Sequence, residues 1–175
     1  MNKSYEERAR EEKAPIQYSI YKGIKGTLGA MRFNLKRPYT STDPKKSDGV
    51  IFLEMCPAIG KNIYDWEKQK MVIALGISDI PKVILYLRAP NHPAFSSNGG
   101  SLKIIHDKGA GTANKGKNMK TLEIKKPEEM RNFMFTMYEK NGDRNISAAV
   151  TVSPDEAITI GTLLQSAIPT ILSWT

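Results

Sequence analysis

Residues 111–118 read Gly-Thr-Ala-Asn-Lys-Gly-Lys-Asn, close to a phosphate-binding P-loop. In that motif the loop amides cradle phosphate, the lysine reaches it, and a following Ser or Thr holds magnesium. Here Asn118 stands where the hydroxyl is needed, and an alternating strand pattern follows instead of a helix. Phosphate would therefore lack the dipole of a helix N-terminus. The segment reads as a basic hairpin loop rather than a nucleotide-hydrolysing one. Cys56 lies in the apolar run IFLEMCP, the setting of a buried, inert thiol. His106 ends a strand pattern beside Asp107, which suits a hydrogen-bonded structural role. A single cysteine with His92 and His106 offers no zinc-ligand spacing. Nucleophile elbows, paired catalytic carboxylates and HExxH helices are absent from the sequence. The expectation is a protein that is not an enzyme and carries no cofactor or metal.

Binding chemistry is better represented. The 26 Lys and Arg against 18 Asp and Glu leave a net charge of +8, the balance of a protein with a polyanionic partner. Residues 1–14 sum to zero and 153–175 to −2, so removing both ends from +8 leaves +10 on residues 15–152. Lys108, Lys115, Lys117, Lys120, Lys125 and Lys126 form one cluster, and Lys22, Lys25, Arg32, Lys36 and Arg37 another.

Single-strand binders combine such cations with flat side chains on which bases stack. Tyr18 and Tyr21 precede Lys22 and Lys25, Met31 and Phe33 flank Arg32, and Trp66 stands two residues before Lys68. Lys68 and Lys70 fall on one face of an expected strand and Met71, Ile73 and Leu75 on the other. The sequence thus nominates Tyr18, Tyr21, Phe33 and Trp66 for stacking. Lys22, Lys25, Arg32, Lys36, Lys68, Lys70, Lys103 and Lys120 are nominated for phosphate. Some aromatics must instead build a core, and Phe33, Phe135 and Met137 are the first choices for it. No helix pattern carries the basic face that a duplex major groove requires.

The elements that would position these residues read as β4-α-β4-α. Strand patterns cover 16–21, 27–35, 50–56 and 68–77, followed by a short helix from Ile80 to Leu87 that Ser78-Asp79 could cap. A Pro, Ser, Asn and Gly loop fills 90–100. Strands at 101–106, 120–125, 132–140 and 144–152 follow, with Asn141-Gly142 as a hairpin signal. Ser153-Pro154-Asp155-Glu156 spells a capping box. Ile160, Leu163, Leu164, Ala167, Ile168, Ile171 and Leu172 then share one apolar face, in a helix that Pro169 should kink. This is an α+β class with two antiparallel four-stranded sheets and two helices. Open sheets have edges, so oligomerisation is expected, with the final helix at its centre.

At 175 residues the chain holds one binding domain over 15–175 behind a charged N-terminal extension, 1–14, that suits a solvated helix. Forty per cent apolar and 25% charged residues are ordinary for a globular protein. No apolar run approaches the ~20 residues of a membrane span, so no membrane partner is expected. The N-terminus resembles neither a secretory signal nor a transit peptide.

The run from Gly49 to Gly60 (GVIFLEMCPAIG), then Tyr64-Asp65-Trp66 and Lys68-Gln69-Lys70, resembles the Whirly family of single-stranded DNA-binding proteins. Tyr21-Lys22-Gly23 is similar to the start of that family's lysine-glycine-lysine strand. Asn132-Phe133-Met134-Phe135 and the stretch from Ile168 to Trp174 are similar to its seventh strand and proline-kinked closing helix. The resemblance runs colinearly over roughly 16–174. It implies a homotetramer of blades with helices at the centre, and single-stranded DNA running along sheet edges with little sequence preference. Related folds bind RNA, which leaves RNA binding or annealing open; an oligomeric scaffold whose positive charge meets an acidic protein partner is the other alternative. One motif departs: the family's lysine-glycine-lysine-alanine-alanine-leucine, linked to assembly of tetramers into larger particles, here reads KGIKGTL over 22–28. A bacterial or phage-like cytoplasm is the setting expected from the lack of a plant targeting segment, an organelle the alternative for a processed chain.

Overall fold

Alternation of apolar residues builds both sheets of the computed structural model, which describes residues 17–22, 28–38, 49–128 and 131–174. In the first sheet β1 (Gln17–Tyr21), β2 (Gly29–Lys36) and β3 (Val50–Gly60) pair in order. Both β4 (Ile63–Tyr64) and β5 (Met71–Leu75) pair with β3. After α1 (Ile80–Arg88) and a 3-10 turn (Pro93–Asn98) comes a four-stranded meander. Its strands are β6 (Ser101–Asp107), β7 (Asn118–Lys125), β8 (Phe133–Asn141) and β9 (Arg144–Val152). The chain closes with α2 (Pro154–Ile171). Two antiparallel sheets with few helices form the α+β class read from the sequence.

Register aligns the apolar positions into rungs. Ile20, Met31, Met55 and Met71 stand opposite one another across the first sheet, as do Phe33, Leu53 and Ile73. Leu102, Ile124, Phe135 and Val150 do the same across the second. These rungs join Ala157, Ile160, Leu164, Ala167 and Ile171 of α2 in one core. Phe33, Phe135 and Met137 are all buried, as the pattern predicts. The sheets touch at Gly29, where an added Cβ would sit 2.4 Å from the Cys56 carbonyl oxygen and 3.4 Å from Ala148 Cβ. Any side chain there would run into the Cys56 backbone of the neighbouring strand.

The capping box forms as predicted. The Glu156 carboxylate accepts from the Ser153 amide at 2.8 Å and the Ser153 hydroxyl from the Glu156 amide. Lys22, 3.0 Å from Glu156, ties the end of β1 to this helix start. On α2 Leu163 departs from the predicted apolar face and is 39% exposed.

Several details differ from expectation, and the two-residue β4 gives the first sheet five strands where four were predicted. The fourth predicted strand begins at Met71, because Asp65 closes a turn by accepting from the Lys68 amide at 2.9 Å through its side chain. Its carbonyl takes the Gln69 amide at 2.8 Å. Asp competes well with a strand ladder in this way. Lys68 and Lys70 therefore lie on the connection, not on a strand face. The third strand extends to Gly60 and turns back through Asn62, whose φ of 57° is one that Asn tolerates. Asp79 precedes α1 but makes no side-chain capping bond; its carboxylate lies 3.3 Å from His106 Nε2. The predicted loop at 90–100 holds the 3-10 turn, pinned by Phe95 edge-on to Tyr86 at 4.9 Å. Pro169 lies inside α2, within its last turn. The extension at 1–14 lies outside the described residues.

Candidate nucleic-acid interface

The face of the first sheet turned away from the core carries the residues that alternate with the buried rungs. Ser19, Arg32, Glu54 and Val72 form one rung, and Gln17, Asn34, Phe52 and Ala74 the next. At one end of this face Tyr21, 54% exposed, lies 5.7 Å from the Tyr64 ring. Tyr64 in turn lies 6.5 Å from Trp66. The Arg32 guanidinium sits 4.2 Å over Trp66 and bonds the Glu54 carboxylate. Lys70 approaches the same carboxylate at 3.6 Å. Further along the strands Lys36 stands 5.8 Å from the Phe52 ring. From Cys56 to Phe52 the strand advances about 13 Å at ~3.3 Å per residue. Rings and cations thus line one open strip, the pairing of groups that base stacking and phosphate neutralisation need.

Glu54 matters to this arrangement although the sequence reading passed it over. Only 8% exposed, it balances Arg32 and Lys70, so the strip's cations are held in place rather than left to fray. Tyr64 and Phe52 were passed over as well. Strand parity could have found Phe52, which shares a face with Glu54 and Arg32, and Tyr64 belongs to the Tyr64-Asp65-Trp66 run already singled out. The Tyr64 hydroxyl is buried with no hydrogen-bond partner among the described residues, and burial pushes its phenol pKa up.

Of the nominated residues, Tyr21, Arg32, Trp66 and Lys70 come together, with Lys36 at the far end and Lys68 exposed on the adjoining turn. Arg144 donates to the Lys68 carbonyl, fastening that turn to the second sheet. Three nominations are corrected. Phe33 is 7% exposed and belongs to the core, so it has no open ring face for a base. Tyr18 shares the inward face with Phe33 and packs against the core beside Ile160 and Leu164 of α2. Lys120 projects inward at the end of β7, its Nζ 2.9 Å from the Val72 carbonyl and 3.1 Å from Glu139, where it links the two sheets. Lys22 is engaged by Glu156. Lys103 lies on the outer face of the second sheet, 3.3 Å from Glu123. Lys25 lies outside the described residues.

The P-loop-like segment is filled from within. The Asp107 carboxylate accepts from the Gly109 and Gly116 amides, each at 2.8 Å, so the amides a phosphate would need already hold an anion. Cys56 is fully buried, and burial chiefly pushes its thiol pKa up, away from nucleophilic use. Among the described residues no cluster of His, Cys, Asp and Glu could hold a metal ion, and no helix is long and apolar enough to cross a membrane.

Two carboxylates make the fold acid-sensitive. Burial acts to raise the Glu123 carboxyl, but the hydrogen bonds and charges of Lys125 and Lys103 outweigh it and hold it below the usual value of 4.5. Glu156 is likewise lowered, burial being outweighed by Ser153 and Lys22. A depressed carboxyl stabilises the fold above its unfolded pKa and loses that contribution as pH falls through the folded one. The melting temperature is expected to drop below about pH 4.5, and Glu123→Gln to flatten that drop; an unchanged slope in the variant contradicts the assignment.

Among curated proteins no sequence matches this chain. A family model described as Whirly transcription factor matches residues 20–162. The crystal structure of WHY1 from Arabidopsis thaliana is similar at 22% identity and a TM-score of 0.75, covering 93% of this chain and 88% of that one. The plant transcriptional regulator PBF-2 is similar at 23% identity and 0.75, over 93% of this chain and 85% of that one. A guide-RNA-binding protein complex bound to its RNA shares the fold more distantly, at 11% identity and 0.56, over 92% and 94%.

Proposed function

We propose that this chain, which belongs to the Whirly family, binds single-stranded DNA with little sequence preference and without enzymatic activity. The observation that carries the reading is the strip Tyr21–Tyr64–Trp66–Arg32, rings and a guanidinium in mutual contact on an exposed sheet face. Bases stack on Tyr21 and Trp66; Arg32, Lys36, Lys68 and Lys70 take the phosphates, with Lys25, Lys22 and Lys103 able to add charge at the margins. Stacking is indifferent to base identity because every base has a π-face, which gives affinity without sequence readout. Residues 15–175 act as one binding domain. The protein works as a homotetramer assembled through α2, which exposes Leu163 within a stretch, 159–173, that holds no charged residue.

The second reading is RNA on the same strip. It is favoured by the shared fold of the guide-RNA-binding complex, since stacking alone does not distinguish the sugars. The solved relatives from Arabidopsis thaliana lend no support to the bacterial or phage setting expected from the sequence. Competition decides between the readings. Labelled oligo-dT should be displaced by unlabelled oligo-dT and hardly by a duplex of equal length. Displacement by oligo-U at lower concentration than oligo-dT selects RNA, and equal displacement by duplex overturns both.

A further inference from the structure

Where the strip ends at Phe52, the surface drops into a cleft of about 540 Å³ between the first sheet and the open end of the second. One wall is apolar and belongs to the first sheet: Phe52, Val72 and Ala74. The opposite wall comes from a single rung of the second sheet, His106, Lys120 and Glu139. Lys108, Lys140, Asn118 and Asn141 form its mouth.

The charges inside this cleft divide into two groups. Lys120 and Glu139 face each other at 3.1 Å, and Lys120 also caps the Val72 carbonyl, so that pair is spent on holding the walls together. His106 is turned to Asp79 at 3.3 Å. Lys108 and Lys140 are exposed, and neither pairs with a carboxylate among the described residues. The Lys108 amide bonds the Asn118 carbonyl at 3.1 Å, and Asn118 stands opposite Asn141, next to Lys140. The two lysine backbones are therefore about two strand spacings, or roughly 10 Å, apart, and both residues border the cleft. The Asp107 carboxylate holds the loop after Lys108 through Gly109 and Gly116, so this lysine starts from a fixed base.

We infer that this cleft is a second subsite for the bound strand, taking one nucleotide with its base against Phe52, Val72 and Ala74 and its phosphate between Lys108 and Lys140. The inference rests on the single-strand reading above and extends it from a strip to a strip and a socket. The volume is that of an ordinary small-ligand pocket, and its make-up, one flat apolar wall and a cationic mouth, matches a base joined to a phosphate. An acidic peptide would use the lysines but leave the apolar wall without a partner.

The test is the double variant Lys108→Ala/Lys140→Ala, both side chains being exposed, with melting temperature as the control for folding. Two probes are used, an oligo-dT of about four nucleotides, which the strip alone can hold, and one of about twelve. The variant should bind the short probe as the wild type does. For the long probe its log–log salt slope should be shallower by about 1.4, two phosphates at ~0.7 each. Over a tenfold fall in salt the wild type should then gain about 25-fold more affinity than the variant. An unchanged slope, an equal loss for both probes, or displacement of the long probe by poly-glutamate as readily as by oligo-dT overturns the socket. A wild type that binds neither probe overturns the parent reading, a different result from any of these.

Discussion

Replacing Trp66 with alanine is expected to weaken binding of labelled oligo-dT by roughly 5- to 150-fold, the ~1–3 kcal/mol of one base–aromatic stack. Trp66 is half-buried, set between Tyr64 at 6.5 Å and the Arg32 guanidinium at 4.2 Å. The substitution removes a stacking surface and also releases Arg32, whose remaining anchor is Glu54. Because the ring lies on a surface turn rather than in the core, the melting temperature should move far less than the affinity. Trp66→Phe should recover much of the loss, since it restores a flat face. Unchanged affinity in a folded Trp66→Ala protein would return this residue to a purely structural role.

Phe135→Ala should cost about 3–5 kcal/mol of stability, read as a lower denaturant midpoint. The ring is fully buried at the middle of β8, opposite Ile124 on one side and Val150 on the other. Truncation loses the transfer free energy of the ring and leaves a void that neighbours on two paired strands cannot close. That is a large share of the ~5–15 kcal/mol by which domains are stable. Binding should survive in whatever fraction stays folded, because nothing in the strip touches Phe135. A stability loss below about 1 kcal/mol would mean that the second sheet is not packed around this rung.

The contrast between these two aromatic residues explains which parts of the molecule were legible in the sequence. Phe135 alternates with other apolar residues in a strand bounded by turn signals, so periodicity alone assigned it to the core. The same rule located all four strands of the second sheet, and the capping-box residues marked Ser153 as a helix cap. It failed at Lys68 and Lys70, where a short-range bond from Asp65 overrode an alternating pattern that continued on paper. Tyr18 and Phe33, the latter also a first choice for the core, were nominated for stacking for a related reason, and both face inward. Proximity to lysine in sequence was taken for proximity in space, whereas neighbours in a strand point to opposite faces. Parity puts Arg32 outside and Phe33 inside, and that much could have been read beforehand. The role of Lys120 could not, since only the packing of one sheet's end against the other brings the Val72 carbonyl to it, beside its own-sheet neighbour Glu139. Glu54 was equally hidden: a lone acid in an apolar strand shows its purpose only when Arg32 is aligned beside it and Lys70 arrives from the turn.

The net charge of +8 becomes, in the folded chain, a set of cations with different duties. Lys22, Lys103, Lys120 and Lys125 answer internal carboxylates and hold the fold, while Arg32 and Lys70 share one carboxylate and still face outward. Lys36, Lys68, Lys108 and Lys140 are among the exposed cations left for an external anion. Affinity and stability should accordingly respond to different lysines.

The most direct test of the account is the salt dependence of affinity, measured side by side for oligo-dT and for a duplex of the same length. With Arg32, Lys36, Lys68 and Lys70 each neutralising a phosphate, the log–log slope for oligo-dT should be about −2.8 or steeper. Oligo-dT should also stay the tighter ligand at every salt concentration, because the stacking surfaces have no counterpart in a closed duplex. A slope near zero, or a duplex that binds as tightly as the single strand, would contradict it.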